Sequence, residues 1–517
     1  MRANARYLAV HPILLAAYFV LFLYAENLAL VRPTEVVAPL AWAIAGSAVT
    51  LVLAAMVLRD PGRGALVASA LVVAFLGFGH VEGLAEERVG QDVLLIGWAI
   101  FLGVALALAL YRRTPVASLT GGLNVLGLVL VGFALSSILP HLLHSPARAN
   151  DDDNRPSGLA ATRTTERDIY YLVFDRYGSQ SALEAGFGIT DNELPAWLAE
   201  RGFTVLPEAR ANYSRTILSL ASVLNLDHLP ALTPQVSRQS ADHGPVHRLL
   251  DDHLVGRFLR EQGYRYVHLG SWFNPTRDIA IADEVLAQET ATEFEAVLFE
   301  TTAMPLILEH IAEPATVMPP NDASHYENAR FQFRALHRVA ADRGPKLVIA
   351  HVLLPHEPYV FDADGSYISR ADRAADPVEL QYRRQLEYTN REIRALVERL
   401  LSAPESERPI IVISADEGPY PERYDADPHG FDWSTASGEE LRAKFGIISA
   451  LYLPDEPGLP ADAPAPYPSM SAVNTFRLIL GRYFGVDLPP LDDRVYTSRS
   501  PTLVYDLTDV TERLRAE

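Results

Sequence analysis

The sequence predicts an N-terminal bundle of transmembrane α-helices followed by an α/β sandwich domain with a mostly parallel central sheet. Three observations carry this prediction. The first 144 residues are rich in long apolar stretches, a polar segment follows, and the remainder alternates short apolar runs with amphipathic segments. The predicted division is a membrane anchor at 1–144, a linker at 145–167 and a second domain at 168–517.

The anchor contains five apolar stretches, each near the ~20 residues that a helix needs to cross the hydrocarbon of a bilayer. They lie at 8–28, 37–58, 65–84, 93–111 and 119–143. A cleaved signal peptide is the alternative for the first stretch, but no small-residue cleavage site follows it and four further stretches do. Five transmembrane helices are therefore predicted, of which the third is the least apolar at its end.

Arginines indicate how these helices are oriented. Arginine pairs precede the first stretch, separate the second from the third, and separate the fourth from the fifth: Arg2 and Arg6, Arg59 and Arg63, Arg112 and Arg113. Cytoplasmic loops carry an excess of positive side chains. The pattern predicts a multi-pass protein of a bacterial cytoplasmic membrane, with the N-terminus inside and, after five crossings, the C-terminal domain outside.

Charge and cysteine content exclude several classes of function. Residues 1–150 hold 9 Arg and 7 acidic residues, a net charge of +2, whereas the rest holds 35 basic and 57 acidic residues, a net charge of −22. A domain this acidic repels nucleic acid, so a small-molecule or lipid-linked substrate is expected instead. The chain has no cysteine, which excludes disulfides, thiolate metal sites and cysteine-derived nucleophiles.

The second domain begins with a pattern of buried strands. Continuous apolar runs lie at 169–174, 264–269, 346–354, 409–414 and 446–453, and helical spacing lies between them, as at 193–201 and 382–401. Continuous runs are typical of strands that are buried on both faces of a parallel sheet. Ligands of such sheets bind outside the carboxyl ends of the strands.

Three of these strands deliver a carboxylate or an imidazole at their carboxyl ends. The first runs into Asp175, the third runs into Pro355 and His356, and the fourth runs into Asp416 and Glu417. A single strand-end Asp is more often a helix cap or a turn residue. Three such ends in one domain favour a functional site.

These residues belong to a series of short motifs with a characteristic order. In chain order the motifs are Asp175; Thr216 with Ser219 in NYSRTILSLAS; His351 and His356 in HVLLPHEPY; Asp416-Glu417-Gly418; and His429-Gly430. The series resembles the alkaline phosphatase and sulfatase superfamily, most closely its lipoteichoic acid synthase and phosphoethanolamine transferase branch. The resemblance covers about 168–485, and the multi-helix anchor is similar too.

The resemblance implies an alkaline phosphatase-like fold and a metal-dependent site with a Thr nucleophile. It implies one divalent ion, Mn²⁺, Mg²⁺ or Zn²⁺. The implied metal ligands are Asp175, Thr216, Asp416 and Glu417; the catalytic residues are Thr216, His356 and His429; the substrate-binding residues are His351, His356 and Arg215. Coordination to a divalent ion lowers the pKa of a Thr hydroxyl and holds it in line with phosphorus, while the histidines donate hydrogen bonds to the phosphoryl oxygens.

One residue departs from the family pattern. Glu417 stands where the family usually has a histidine ligand. The resulting all-oxygen set favours Mn²⁺ or Mg²⁺ over Zn²⁺. Three carboxylates and an alkoxide over-neutralise a divalent ion unless Arg176, Arg215 or a second cation compensates.

Three functions therefore stay open. The first is a phosphotransferase that moves a phospholipid-derived group onto an envelope lipid or glycan. The second is a phosphatase, phosphodiesterase or Ser/Thr-type sulfatase that uses the same site with water as acceptor. The third is a catalytically silent binding protein of the envelope, for which Glu417 is the support. Each candidate residue also has a purely structural interpretation. Thr216 would cap a helix, His351 would be a core residue, His429 would be a surface residue, and residues 270–276 would only pack against the domain.

Overall fold

The structure is a computed structural model that describes residues 8–28, 30–85, 90–144, 157–311, 318–427, 431–499 and 503–515. The chain divides into two compact units. The first unit comprises Met1–Ala149 and Ala291–Asn321, and the second comprises Asn150–Thr290 and Asp322–Glu517.

The secondary structure of the described residues follows the predicted order of helices and then alternating strands and helices. Helices α1 to α21 span, in chain order, His11–Glu26, Pro33–Leu58, Pro61–Leu76, Phe78–Ala85, Gln91–Leu110, Val116–His144, Gln180–Phe187, Leu194–Ala199, Thr216–Leu224, Leu229–Leu232, Gly244–Asp251, Leu254–Glu261, Glu293–Glu300, Met304–Ile311, Pro320–Val339, Arg370–Ala374, Val378–Leu401, Glu422–Ala426, Gly438–Phe445, Asn474–Ile479 and Thr511–Arg515. Strands β1 to β9 span Ile169–Phe174, Thr204–Val205, Arg265–Leu269, Glu284–Leu286, Lys346–Val352, Ile410–Ser414, Ser449–Tyr452, Tyr496–Ser498 and Leu507–Asp509.

The first unit places one helix in four of the five predicted apolar stretches and divides the third, 65–84, between α3 and α4. Among the described residues, α2, α5 and α6 are long and apolar enough to cross a membrane, whereas α1 and α3 are shorter, with 16 residues each. Large apolar side chains such as Trp42 and Val57 are 77% and 79% exposed. An apolar surface of this extent is what a bilayer covers. The number of spans and their orientation stay predictions.

The first unit also contains a segment that the sequence did not assign to it. Helices α13 and α14 fall within residues 291–321, between strands of the second unit. Phe294 of α13 is 2% exposed and belongs to the same apolar cluster as Val20, Tyr24 and Val36. Its ring meets that of Tyr24 edge to face, with 6.5 Å between centroids. The chain therefore returns to the helical unit midway through the predicted second domain.

The second unit contains the predicted α/β architecture. In the described part of the chain, seven strands form one sheet in the order β2-β7-β6-β1-β5-β3-β4. Strands β6, β1, β5, β3 and β4 run parallel, and β7 runs antiparallel to both of its neighbours. Every residue of β1, β5 and β6 is buried, as expected of strands covered on both faces. The predicted mostly parallel sheet is confirmed.

Strand register brings the predicted site residues to one edge of the sheet. Val173 of β1 lies opposite His351 of β5 on one side and Ser414 of β6 on the other. Asp175 and Asp416 each follow this row by two residues. Since side chains two apart on a strand project to the same face, the three functional side chains converge beyond the carboxyl ends of the central strands.

Candidate metal and phosphoryl-transfer site

Two aspartates and a histidine form the centre of the site. Asp175, His351 and Asp416 are buried, and one ligand atom of each lies within 4.8 Å of those of the other two. His351 Nε2 is 3.5 Å from Asp175 Oδ2 and 4.0 Å from Asp416 Oδ2. Asp175 and Asp416 follow β1 and β6, as the strand-end pattern predicts, whereas the histidine of the group is His351 within β5, which the sequence predicted as a substrate-binding residue, rather than His356.

Several buried polar atoms of this group have no hydrogen-bond partner among the described residues. They are Asp175 Oδ1, His351 Nε2, Asp416 Oδ2 and, next to them, Glu417 Oε2. A buried polar atom without a partner costs ~1–3 kcal/mol, and more when it is charged. Carboxylate oxygens and an imidazole nitrogen are ligand atoms that both Zn²⁺ and Mn²⁺ bind. The residues therefore fit a divalent cation.

The charges in the group perturb one another. Burial together with the carboxylates of Asp175 and Glu417 raises the pKa of Asp416 to about 7. Burial opposes ionisation of Asp175 as well, but His356, His351 and Arg176 outweigh it and hold the pKa of Asp175 well below its usual range. Carboxylates packed this closely need positive charge nearby to be ionised together, which a bound cation provides.

The ring of His351 is oriented by a hydroxyl that the sequence did not identify. His351 Nδ1 is 2.9 Å from Thr276 Oγ1, and that hydroxyl is 2.6 Å from Ser271 Oγ. A histidine that binds metal through Nε2 donates its Nδ1–H to such a partner. Residues 270–276 were predicted only to pack, because no sequence pattern links Thr276 to a strand 75 positions away.

Thr216 lies beside the carboxylate group. It is the first residue of α9, directly after Arg215, and it is half-buried. Burial raises the pKa of Asp416, and the neighbouring Thr216 side chain opposes that rise. Ser219, one turn further along α9, donates instead to the carbonyl of Tyr213 at 3.2 Å. Of the two hydroxyls in the motif, Thr216 is therefore the one that faces the site.

Glu417 is held by a buried lysine. Lys444 Nζ is 2.8 Å from Glu417 Oε1 and 3.3 Å from the Gly418 carbonyl oxygen. It also lies 3.1 Å from the centroid of the Tyr420 ring. Glu417 lies outside the group of three ligand candidates, although its charge contributes to raising the pKa of Asp416. The sequence predicted Glu417 as a metal ligand but gave no indication of Lys444.

Arg176 borders the site on the side of β1. It adopts a left-handed backbone conformation with φ 58°. Its guanidinium is paired with Glu357 and lies 4.4 Å from the Tyr420 ring centroid, and its Nε is 3.7 Å from Glu417 Oε1. Tyr420 donates to the Ser214 carbonyl at 3.4 Å, which links the loop after β6 to the residues that precede α9.

The remaining predicted residues fall in three places. The His356 side chain is 25% exposed and acts electrostatically on Asp175, so it lies at the mouth of the site. Gln385 donates to the His356 carbonyl at 2.6 Å and fixes that loop. Arg215 is half-buried and donates through Nε to Ser498 at 3.1 Å. His429 lies outside the described residues.

Comparison with known proteins gave structural matches only. No family model matches the chain, and no curated protein matches it in sequence. The C-terminal periplasmic domain of EptC from Escherichia coli, in complex with Zn, matches with 13% identity and a TM-score of 0.42 over 67% of this chain and 90% of that chain.

Two further solved structures also match the chain. A protein in the alkaline phosphatase superfamily from Vibrio parahaemolyticus matches with 13% identity and a TM-score of 0.39, over 66% of this chain and 74% of that chain. The integral membrane protein lipooligosaccharide phosphoethanolamine transferase A from Neisseria meningitidis matches with 12% identity and a TM-score of 0.39, over 95% of this chain and 98% of that chain.

Proposed function

We propose that the protein is a membrane-anchored, divalent-metal-dependent enzyme that transfers or hydrolyses phosphate or sulfate esters of envelope lipids or glycans through Thr216. One observation carries the proposal: Thr216, the first residue of α9, lies beside a buried Asp-His-Asp group whose converging atoms have no hydrogen-bond partner in the described chain. The proposal places the second unit outside a bacterial cytoplasmic membrane.

The N-terminus of α9 suits an anionic substrate. Thr216 and the residues that follow it open the helix, and no side chain caps it at Arg215. Backbone N–H groups and the helix dipole favour negative charge at this end. The partial positive charge at this end of α9 therefore stabilises an anionic phosphoryl or sulfuryl group next to Thr216.

Residues of this chain divide the chemistry among them. A divalent ion held by Asp175, His351 and Asp416 would supply positive charge to the ester oxygens and lower the pKa of the Thr216 hydroxyl. Asp416 accepts the hydroxyl proton of Thr216 as Oγ1 forms the new bond to phosphorus or sulfur and the bond to the leaving oxygen breaks. His356, at the mouth, protonates the leaving oxygen.

The second half of the reaction returns the enzyme to its starting state. The group on Thr216 passes to an acceptor hydroxyl in a transferase or to water in a hydrolase. The membrane-spanning helices favour the transferase, because a phospholipid donor lies in the bilayer beside them.

The test uses the full-length protein in detergent micelles. Bound metal is measured by mass spectrometry and turnover is measured with p-nitrophenyl phosphate esters, for the native chain, Asp416→Asn and Thr216→Ala. We expect Asp416→Asn to lose the metal and Thr216→Ala to keep it while turnover falls at least ~10³-fold. Ser219→Ala is the matched control, since it removes a hydroxyl from the same helix, and should retain turnover.

The opposite results identify the alternative. A folded native protein that binds no metal, with background turnover unaffected by Thr216→Ala, is the catalytically silent binding protein. Metal retained in full by Asp416→Asn would contradict the proposed ligand set.

A further inference from the structure

Lys444 is buried beside the proposed metal site. Its side chain is 0% exposed, and Glu417 beside it is 3% exposed. The ammonium contacts Glu417 Oε1 at 2.8 Å, the Gly418 carbonyl oxygen at 3.3 Å and the Tyr420 ring at 3.1 Å from its centroid. Lys444 is the next-to-last residue of α19, while its three partners all lie in the loop that follows β6.

The two oxygens of Glu417 have different surroundings. Oε1 accepts from Lys444, with the Nε of Arg176 at 3.7 Å, whereas Oε2 is buried without a hydrogen-bond partner in the described chain. Glu417 follows Asp416 directly, and its charge is felt by His351 as well as by Asp416. Glu417 Oε2 is therefore a further buried carboxylate oxygen next in sequence to Asp416, outside the group formed by Asp175, His351 and Asp416.

A charge count shows what this lysine does. Asp175, Asp416 and Glu417 together carry three negative charges, and His351 carries none when it binds a metal as neutral imidazole. A divalent ion alone leaves the group with one excess negative charge, which weakens the attraction of the ion for an anionic ester. Lys444 brings the total to zero.

We propose that Lys444 is the second cation of this site: it holds Glu417 through Oε1 and cancels the charge of this additional carboxylate beside the metal ion. This inference rests on the proposed function, because it presupposes a metal ion at Asp175, His351 and Asp416. Lys444 acts through Glu417 and is a positioning residue rather than a catalytic one.

The other cations near the site have further partners, and Arg176 Nε lies 3.7 Å from Glu417 Oε1, beyond hydrogen-bond distance. The guanidinium of Arg176 is paired with Glu357, which is an exposed residue at the mouth of the site. Arg215 donates through Nε to Ser498. Lys444 is the cation in hydrogen-bond contact with Glu417, so the compensating charge is assigned to it.

The composition of the chain gives independent support. The sequence has 42 arginines and only two lysines, Lys346 and Lys444. Both lysines are buried, and both pair with a carboxylate, Asp168 and Glu417 respectively. Arginine occupies almost every other cationic position of the chain. We infer that lysine occupies these two because the buried space there is too small for a guanidinium group. A compact ammonium fits where a planar guanidinium does not.

The test measures Mn²⁺ affinity of the full-length protein in detergent from the electron paramagnetic resonance signal of free Mn²⁺. We expect Glu417→Gln to weaken binding at least ~10-fold, because Lys444 is then an uncompensated cation beside the ion. We expect Lys444→Met to tighten binding at least ~10-fold while turnover falls, because the ion then faces an excess negative charge. The double variant restores neutrality and should bind within ~3-fold of the native protein.

The inference predicts that the two single substitutions change the Mn²⁺ affinity in opposite directions. If the Lys444–Glu417 pair were only structural, both substitutions would weaken Mn²⁺ binding. If Lys444→Met does not fold, the Mn²⁺ affinities of Glu417→Gln and of the double variant still test the inference. A double variant that binds Mn²⁺ as weakly as Glu417→Gln overturns it. Native affinity in all three variants also overturns it, while loss of metal in Asp416→Asn would leave the proposed function intact. Retention of metal in Asp416→Asn instead contradicts the proposed function itself.

Discussion

At the scale of single residues, the hydroxyl of Thr276 determines which nitrogen of His351 faces the two aspartates. Replacing Thr276 by the isosteric Val removes the group at 2.9 Å from Nδ1 and leaves that nitrogen without its partner. Loss of such a partner costs ~10–100-fold in metal affinity. We expect Thr276→Val to weaken Mn²⁺ and Zn²⁺ binding by this factor, as measured by titration of the full-length protein.

Thr276→Ser keeps the hydroxyl while removing the methyl group, and it is the matched control. It should bind metal within about threefold of the native protein, well inside the loss expected for the valine variant. Equal affinities for the valine and serine variants would show that the hydroxyl does not orient His351.

At the scale of elements, Gln332 of α15 donates hydrogen bonds to backbone carbonyls at the end of the sheet. Gln332 is fully buried, and its Nε2 lies 2.9 Å from the His351 carbonyl oxygen and 3.2 Å from that of Gly270. Gln332→Met keeps the volume and removes the donor. We expect a loss of ~1–3 kcal/mol, seen as a lower Tm by several degrees in thermal unfolding.

A half-buried glutamine, Gln381, is the control for the Gln332 substitution. Gln381 of α17 donates to the carbonyls of Arg373 and Asp376, both at 2.9 Å, where water can replace it. Gln381→Met should lower the Tm by less than Gln332→Met. The reverse order would show that α15 is held to the sheet by apolar packing alone.

The elements also show how much of the molecule could be predicted. The long apolar runs identified β1, β3, β5, β6 and β7, and the strand-end rule then identified Asp175, His356 and Asp416. Strands β2, β4, β8 and β9 have two or three residues each, too few for any periodicity. Thr276 and Lys444 could not be predicted, because their contacts with the site depend on tertiary packing rather than on a local pattern.

At the scale of the whole molecule, the return of the chain to the first unit decides which fragment will be soluble. The segment 291–321 carries Phe294 and Ala296, which are 2% and 3% exposed within the first unit. A chain of residues 157–517 lacks the helices that cover them. We expect it to aggregate without detergent, whereas the same chain with 291–321 replaced by a Gly/Ser linker of ~20 residues stays monodisperse in size-exclusion chromatography.

The linker variant should also bind metal, since Asp175, His351 and Asp416 all belong to the second unit. Aggregation of both fragments to the same extent would mean that 291–321 is not the source of the exposed apolar surface.

The order of the strands in the sheet has a consequence for biosynthesis. Strand β1 begins at Ile169, but its two sheet neighbours, β5 and β6, begin at Lys346 and Ile410, after the segment that joins the first unit. At ~5–20 residues per second, a ribosome needs on the order of 10 s or more after β1 to reach β5. Both edges of this apolar strand stay unpaired during that time and are open to pairing with neighbouring nascent chains, and slow translation lengthens the exposure.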